Sequence, residues 1–78
     1  MEKKIKLIWD FRGPDAQKIA EHHKIHLTDY KNAHNLEKSA TGVEVMSPLY
    51  TIAFITVLQS EMPAVRDALK PHRGEFFD

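Results

Sequence analysis

The chain has 78 residues, no cysteine, and eleven basic against eleven acidic side chains, so its formal charge is zero. A single domain of this length hides only about 60% of the surface its unfolded form exposes, and no disulfide or thiolate metal site can supplement it. Charge balance removes the basic excess on which nucleic-acid binding rests. Self-association is left as the source of further burial.

The N-terminal stretch Met1-Glu2-Lys3-Lys4-Ile5-Lys6-Leu7-Ile8-Trp9 has no long apolar run before a small-residue cleavage site, so no signal peptide is read. The longest apolar run, within residues 49–58, is too short to span a bilayer as a helix. A cytoplasmic protein with no membrane partner is expected.

Residues 4–11 alternate, with Ile5, Leu7, Trp9 and Phe11 on one side and Lys4, Lys6, Ile8 and Asp10 on the other. That period of two predicts a half-buried strand. Gly13 and Pro14 end it, and proline suits a first helical position because its missing N–H costs nothing there. Asp15 adds negative charge where the helix dipole favours it.

Over residues 14–35 the period becomes helical: Ala16, Ile19, Ala20, His23, Leu27, Tyr30 and His34 form one stripe, and Ile25 points away from it. A polar stretch leads to Gly42, read as a turn, and to a second strand at about 41–46. After Ser47-Pro48, residues 50–58 predict a strand apolar on both faces. Tyr50, Ile52, Phe54 and Leu58 oppose Ala53, Ile55 and Val57, so this strand should be central and covered on both sides. Residues 60–70 predict a second helix with Met62, Val65, Ala68 and Leu69 as its stripe. Pro71 stops it, and Gly74 opens a short last strand at 75–77.

The order strand, helix, strand, strand, helix, strand predicts one α+β domain over residues 1–78. With short connections and right-handed crossovers it is the ferredoxin-like βαββαβ sandwich, an antiparallel sheet with two helices on one face. The runner-up is a three-stranded sheet with a disordered tail. Ile8, Met46 and one face of the third strand would lie on the helix-free side. Apolar residues there predict a homodimer packed sheet against sheet.

This topology carries three remote segments to one end of the sheet: the exit of the first strand, the turn between the second and third, and the exit of the second helix. Asp10, Arg12, Asp15, Ser47, Tyr50, Lys70, His72 and Arg73 would meet there. Two guanidinium groups suit a carboxylate or phosphate, and the helix start at Pro14 adds backbone donors. The competing reading is that Asp10 and Asp15 pair with the arginines and merely hold the loops.

His22 and His26 stand one helical turn apart, the spacing of two-histidine metal sites, but without the glutamate of His-Glu-x-x-His. They are read as a solvated helix flank, and no metal or cofactor is expected. His23, on the buried stripe, is expected to stay neutral and to need a partner for each ring nitrogen.

The stretch Glu21-His22-His23-Lys24-Ile25-His26-Leu27 resembles the first helix of small dimeric α/β-barrel proteins of the YCII-like and EthD-like groups, with His26-Leu27 as the specific part. That resemblance implies a face-to-face dimer and a polar small-molecule pocket using His26. The functional expectation is a small anionic or polar ligand at the strand-exit end, bound by Asp10, Arg12, Asp15, Tyr50, His72, Arg73 and His26, with no reaction assigned. In that reading Arg12 and Arg73 grip the ligand, and His72 or Asp10 transfers protons. The alternative is a non-catalytic interaction module using its apolar sheet face or Ile25. A weaker one is an RNA-binding sheet, which would need the paired aromatics and positive charge this chain lacks.

Overall fold

A computed structural model describes residues 3–77. The elements are β1 (Lys4–Arg12), α1 (Ala16–Ala33), β2 (Thr41–Ser47), β3 (Tyr50–Leu58), α2 (Met62–Leu69) and β4 (Arg73–Phe77). Their sheet order is β2-β3-β1-β4 with every pair antiparallel. This is the ferredoxin-like fold expected from the element order, and the fourth strand forms.

Alternation along β1 and β3 sorts the side chains onto two faces. Ile5, Leu7 and Trp9 join Ala53, Ile55 and Val57 beneath Ala20 and Leu27 of α1 and Val65 of α2, forming the core. On α1 the expected stripe is buried at Ala16, Ala20 and Leu27, while Ile19 is half exposed at the stripe's margin. Ile25 is exposed, as its position off the stripe predicts. Hydroxyl contacts tie α1 to β2: Thr28 Oγ1 lies 2.9 Å from Thr41 Oγ1 and also donates to the Lys24 carbonyl at 2.9 Å.

The helix-free face is not a bare apolar surface. Ile8 is 1% exposed and Ile52 3% exposed within the single chain. Charged side chains roof them. Lys6 Nζ reaches Glu44 Oε1 at 2.8 Å and lies 4.3 Å from the centre of the Phe54 ring, bridging β1 to β2 across β3. The apolar surface left for a partner sheet is therefore smaller than alternation alone predicts.

Several boundaries differ from expectation for local reasons. Helix α1 starts at Ala16 rather than Pro14, because Asp15 takes the N-cap position and Gly13 adopts φ +114° in the turn before it. Helix α2 is shorter than 60–70. Glu61 is its N-cap, and Glu61 Oε1 accepts the Leu58 N–H at 2.9 Å. Lys70 closes α2 in the left-handed conformation, φ 51°, donating its N–H to the Arg66 carbonyl at 2.8 Å. Strand β4 begins at Arg73 rather than residue 75, and Gly74 lies inside it opposite Leu7.

Gly42 is likewise inside a strand, not in a turn. It faces Phe54 across the ladder, and a Cβ there would stand 2.5 Å from Phe54 Cζ. The ring lies over the β2 backbone, so a Cβ there would force the Phe54 ring to swing aside. Gly42→Ala is expected to lower stability by about 1–3 kcal/mol through overpacking. Urea melts of Gly42→Ala, Phe54→Leu and the double variant would measure it. The double variant should recover part of the Gly42→Ala loss, and simple additivity would rule out the clash.

Candidate functional site

The connections gathered at one end of the sheet build a polar cluster around Asp10, the last inward-roofing residue of β1. Its position is set by register: Arg12 pairs with Tyr50 and Ile8 with Arg73, so Tyr50 and Arg73 flank Asp10 from the two neighbouring strands on the helix-free face. The Tyr50 hydroxyl donates to Asp10 Oδ1. Arg73 donates from Nε to Oδ2 and from Nη2 to Oδ1, each at 3.2 Å. Its Nη2 also reaches the Tyr50 oxygen at 3.5 Å, and Nη1 lies 3.2 Å from Glu75 Oε2.

This fork on a planar carboxylate is the geometry that guanidinium favours. The arginine hydrogen bonds, followed by that of Tyr50, hold the Asp10 carboxyl below its ordinary pKa against the opposing effect of burial. The same contacts raise Arg73, Asp10 contributing most. Asp10 is thus an ionised anchor and a weak base.

His72 completes the anchor through its ring. Its backbone N–H donates to the Ile8 carbonyl at 2.9 Å, and its ring Nδ1 accepts the Asp10 N–H at 2.9 Å. The imidazole stands where the next backbone acceptor of β4 would be, extending the ladder past Pro71. Because Nδ1 accepts, the neutral ring carries its proton on Nε2.

Arg12 is in a different state. Its guanidinium lies 4.1 Å from the centre of the Tyr50 ring, a cation–π distance. Among the described residues it has no carboxylate within 4 Å. The adjacent Gly13 donates its N–H to the Leu49 carbonyl at 2.8 Å, locking the β1 exit to the β2–β3 hairpin. Val45, Met46 and Leu49, in β2 and the hairpin turn, are all more than half exposed.

Of the residues expected at the site, Asp10, Arg12, Tyr50, His72 and Arg73 come together. Asp15 is exposed at the start of α1, makes no side-chain capping bond, and among the described residues has no ion pair. His26 lies further along α1, its ring 5.0 Å from that of His22 on an exposed flank. No group of three or more histidine, aspartate or glutamate side chains suited to a metal ion occurs among the described residues. No helix among them is long and apolar enough to cross a membrane.

His23 lies behind the cluster on the helix side of β1. Its ring centre is 4.8 Å from that of Trp9 and 5.6 Å from that of Phe11, and Phe11 in turn is 6.3 Å from His72. Its Nε2 is buried with no hydrogen-bond partner among the described residues. The helical stripe signalled that burial. Nothing in the sequence signalled that the second nitrogen would go unpaired. Three features escaped sequence reading: the Tyr50–Asp10 bond, the ladder role of His72, and the involvement of Phe11.

Comparison with known proteins finds no matching family model, no matching curated protein and no matching solved structure. The chain is thus defined by its βαββαβ architecture and by the site itself.

Burial, and then the neighbouring His26, His72 and His22, push the His23 pKa below the 6.5 of a free imidazole. The unfolded chain therefore takes up this proton first as pH falls. His23 leaves stability unpenalised above about pH 6.5 and reduces it as pH drops towards the lowered folded value. Urea melts between pH 7.5 and 5 should show a steeper loss for the wild type than for His23→Phe, which keeps a ring against Trp9 and Phe11. Parallel losses would assign the pH dependence to other groups.

Proposed function

We propose that the chain is a small-ligand domain that binds a small anion at the strand-exit end, with Arg12 as the gripping residue. One observation carries this reading. Three of the charges gathered at that end, Asp10, Arg73 and Glu75, satisfy one another, while Arg12 is left on the Tyr50 ring without a carboxylate. A guanidinium stacked on an aromatic face keeps its donor edge available for a planar anion.

Arg73 serves in this reading to orient Tyr50 and Asp10 beneath the ligand, where a free arginine was expected. Asp10, held ionised, is poorly suited to accept a proton. His72, whose side chain is about half exposed and whose neutral ring carries its proton on Nε2, is the group placed to donate a hydrogen bond. The assigned role is binding, and no reaction is assigned.

A second reading is an interaction module. It rests on Val45, Met46 and Leu49 at the same end and on Ile25 of α1, each more than half exposed. Scattered exposed side chains are ordinary, but three exposed apolar residues at one hairpin are more than a single side chain. A protein partner or a second copy of the chain would cover it there.

Titration of the full chain with inorganic phosphate and with acetate, followed by amide chemical shifts, tests the first reading. Saturable shifts should appear at Arg12, Gly13 and Tyr50. Arg12→Ala should weaken them about tenfold while changing stability by no more than about 0.5 kcal/mol, as for other surface substitutions. Absence of saturable shifts at these residues, together with a concentration-dependent mass that Leu49→Ser abolishes, would give the second reading precedence.

A further inference from the structure

A separate feature lies on the helix side of the sheet. Helix α2 has eight residues and buries only Val65 fully; Met62 and Leu69 are half-buried. It lies against β3 and leaves a groove of about 410 Å³ beside β4, apolar along Ile5, Leu7, Met62 and Phe76, with Arg66 at its margin and His72 and Arg73 at the end it shares with the polar cluster. That volume lies within the range of small-molecule sites, and an apolar lining with few polar groups is their usual character.

Two residues make the groove. Gly74 faces the helix layer opposite Leu7, where a Cβ would stand 3.3 Å from Leu7 Cδ2 and 3.5 Å from Ile5 Cγ2. Any side chain there would raise the floor. Phe76, 66% exposed, forms a wall that no element of the chain covers.

The charges around the groove are unevenly committed. Glu75, the acid in its lining, is held by Arg73 at 3.2 Å. Among the described residues Arg66 pairs only with its sequence neighbour Asp67, at 3.5 Å and itself largely exposed. Lys3 Nζ stands 5.3 Å from the centre of the Phe76 ring. The acid is neutralised while the cations face solvent.

We infer that this groove binds a small amphipathic anion, its apolar tail along Ile5, Leu7, Met62 and Phe76 and its carboxylate on Arg66. The complementarity is twofold: apolar lining for the tail, and a guanidinium fork for a planar head group. The site is distinct from Arg12, which belongs to the other face.

Octanoate is the probe, and octanol its uncharged counterpart, each titrated into the full chain and followed by amide shifts. Octanoate should give saturable shifts at Leu7, Met62, Arg66, Gly74 and Phe76, and Arg12→Ala should leave them unchanged. Arg66→Gln, at an exposed position that folding tolerates, should weaken octanoate about tenfold and leave octanol unaffected. Gly74→Val should weaken both, its folding checked by circular dichroism. Three results would each overturn the assignment: no saturable octanoate shift at millimolar concentration, shifts confined to Arg12 and Tyr50, or equal octanoate affinity in Arg66→Gln.

Discussion

The carboxylate of Asp10 is the contact on which this end of the molecule depends. It receives Tyr50 from β3 and Arg73 from β4, while its own N–H is taken by His72. Three strands that meet nowhere in sequence are thereby joined at one residue. The consequence is largest for β4, a five-residue edge strand paired only with β1. Edge strands have half their backbone groups unpaired, and α2 lies against β3, where it does not hold β4 down. The polar anchor at the start of β4 substitutes for the packing that a longer second helix would supply.

That substitution explains how two neighbouring features of opposite character arise. On the helix-free face, the anchoring ion pairs and the Lys6–Glu44 bridge cover Ile8 and Ile52, so the sheet is roofed by charge. On the helix side, the gap between α2 and β4 stays open and apolar. Arg73 is committed to Asp10 and Glu75 by its ion pairs and also borders the groove. Arg12 and Arg66, the other two arginines, pair with no carboxylate beyond an immediate neighbour among the described residues. A chain of zero net charge therefore still presents two separate guanidinium groups to solvent.

Much of this arrangement is legible in the sequence, because it follows from two periodicities. Alternation in β1 and β3 gives both faces correctly, down to Tyr50, Ile52 and Phe54 opposing Ala53, Ile55 and Val57. Topology alone brings the β1 exit, the hairpin and the α2 exit to one end. The pairing among the charges there is set by register, which composition does not contain. A shift of one residue between β1 and β4 would turn Arg73 to the other face. Likewise Gly42 reads as a turn and Gly74 as the opening of the last strand, because glycine in isolation signals flexibility. Both are strand residues whose missing side chain leaves room for a neighbour, the Phe54 ring in one case and the groove floor in the other.

Where a sequence obeys its local rules, stability is sufficient explanation; departures from them need another. This small domain departs from them at several points that could have been filled. Lys70 holds a left-handed position that glycine would take with less strain. His23 keeps a ring nitrogen buried without a partner among the described residues. Gly74 is an exposed glycine inside a strand, where a Cβ would stand 3.3 Å from Leu7 Cδ2. Lys70 and Gly74 flank His72 in the α2–β4 connection, and His23 reaches the same region through Phe11. A fold optimised only for burial would carry a longer α2. Departures of the same kinds stand in the α1–β2 connection, where Asn35 is left-handed and the Ser39 hydroxyl is buried without a partner among the described residues, so each connection leaving a helix gives up local optimality to turn the chain back onto the sheet.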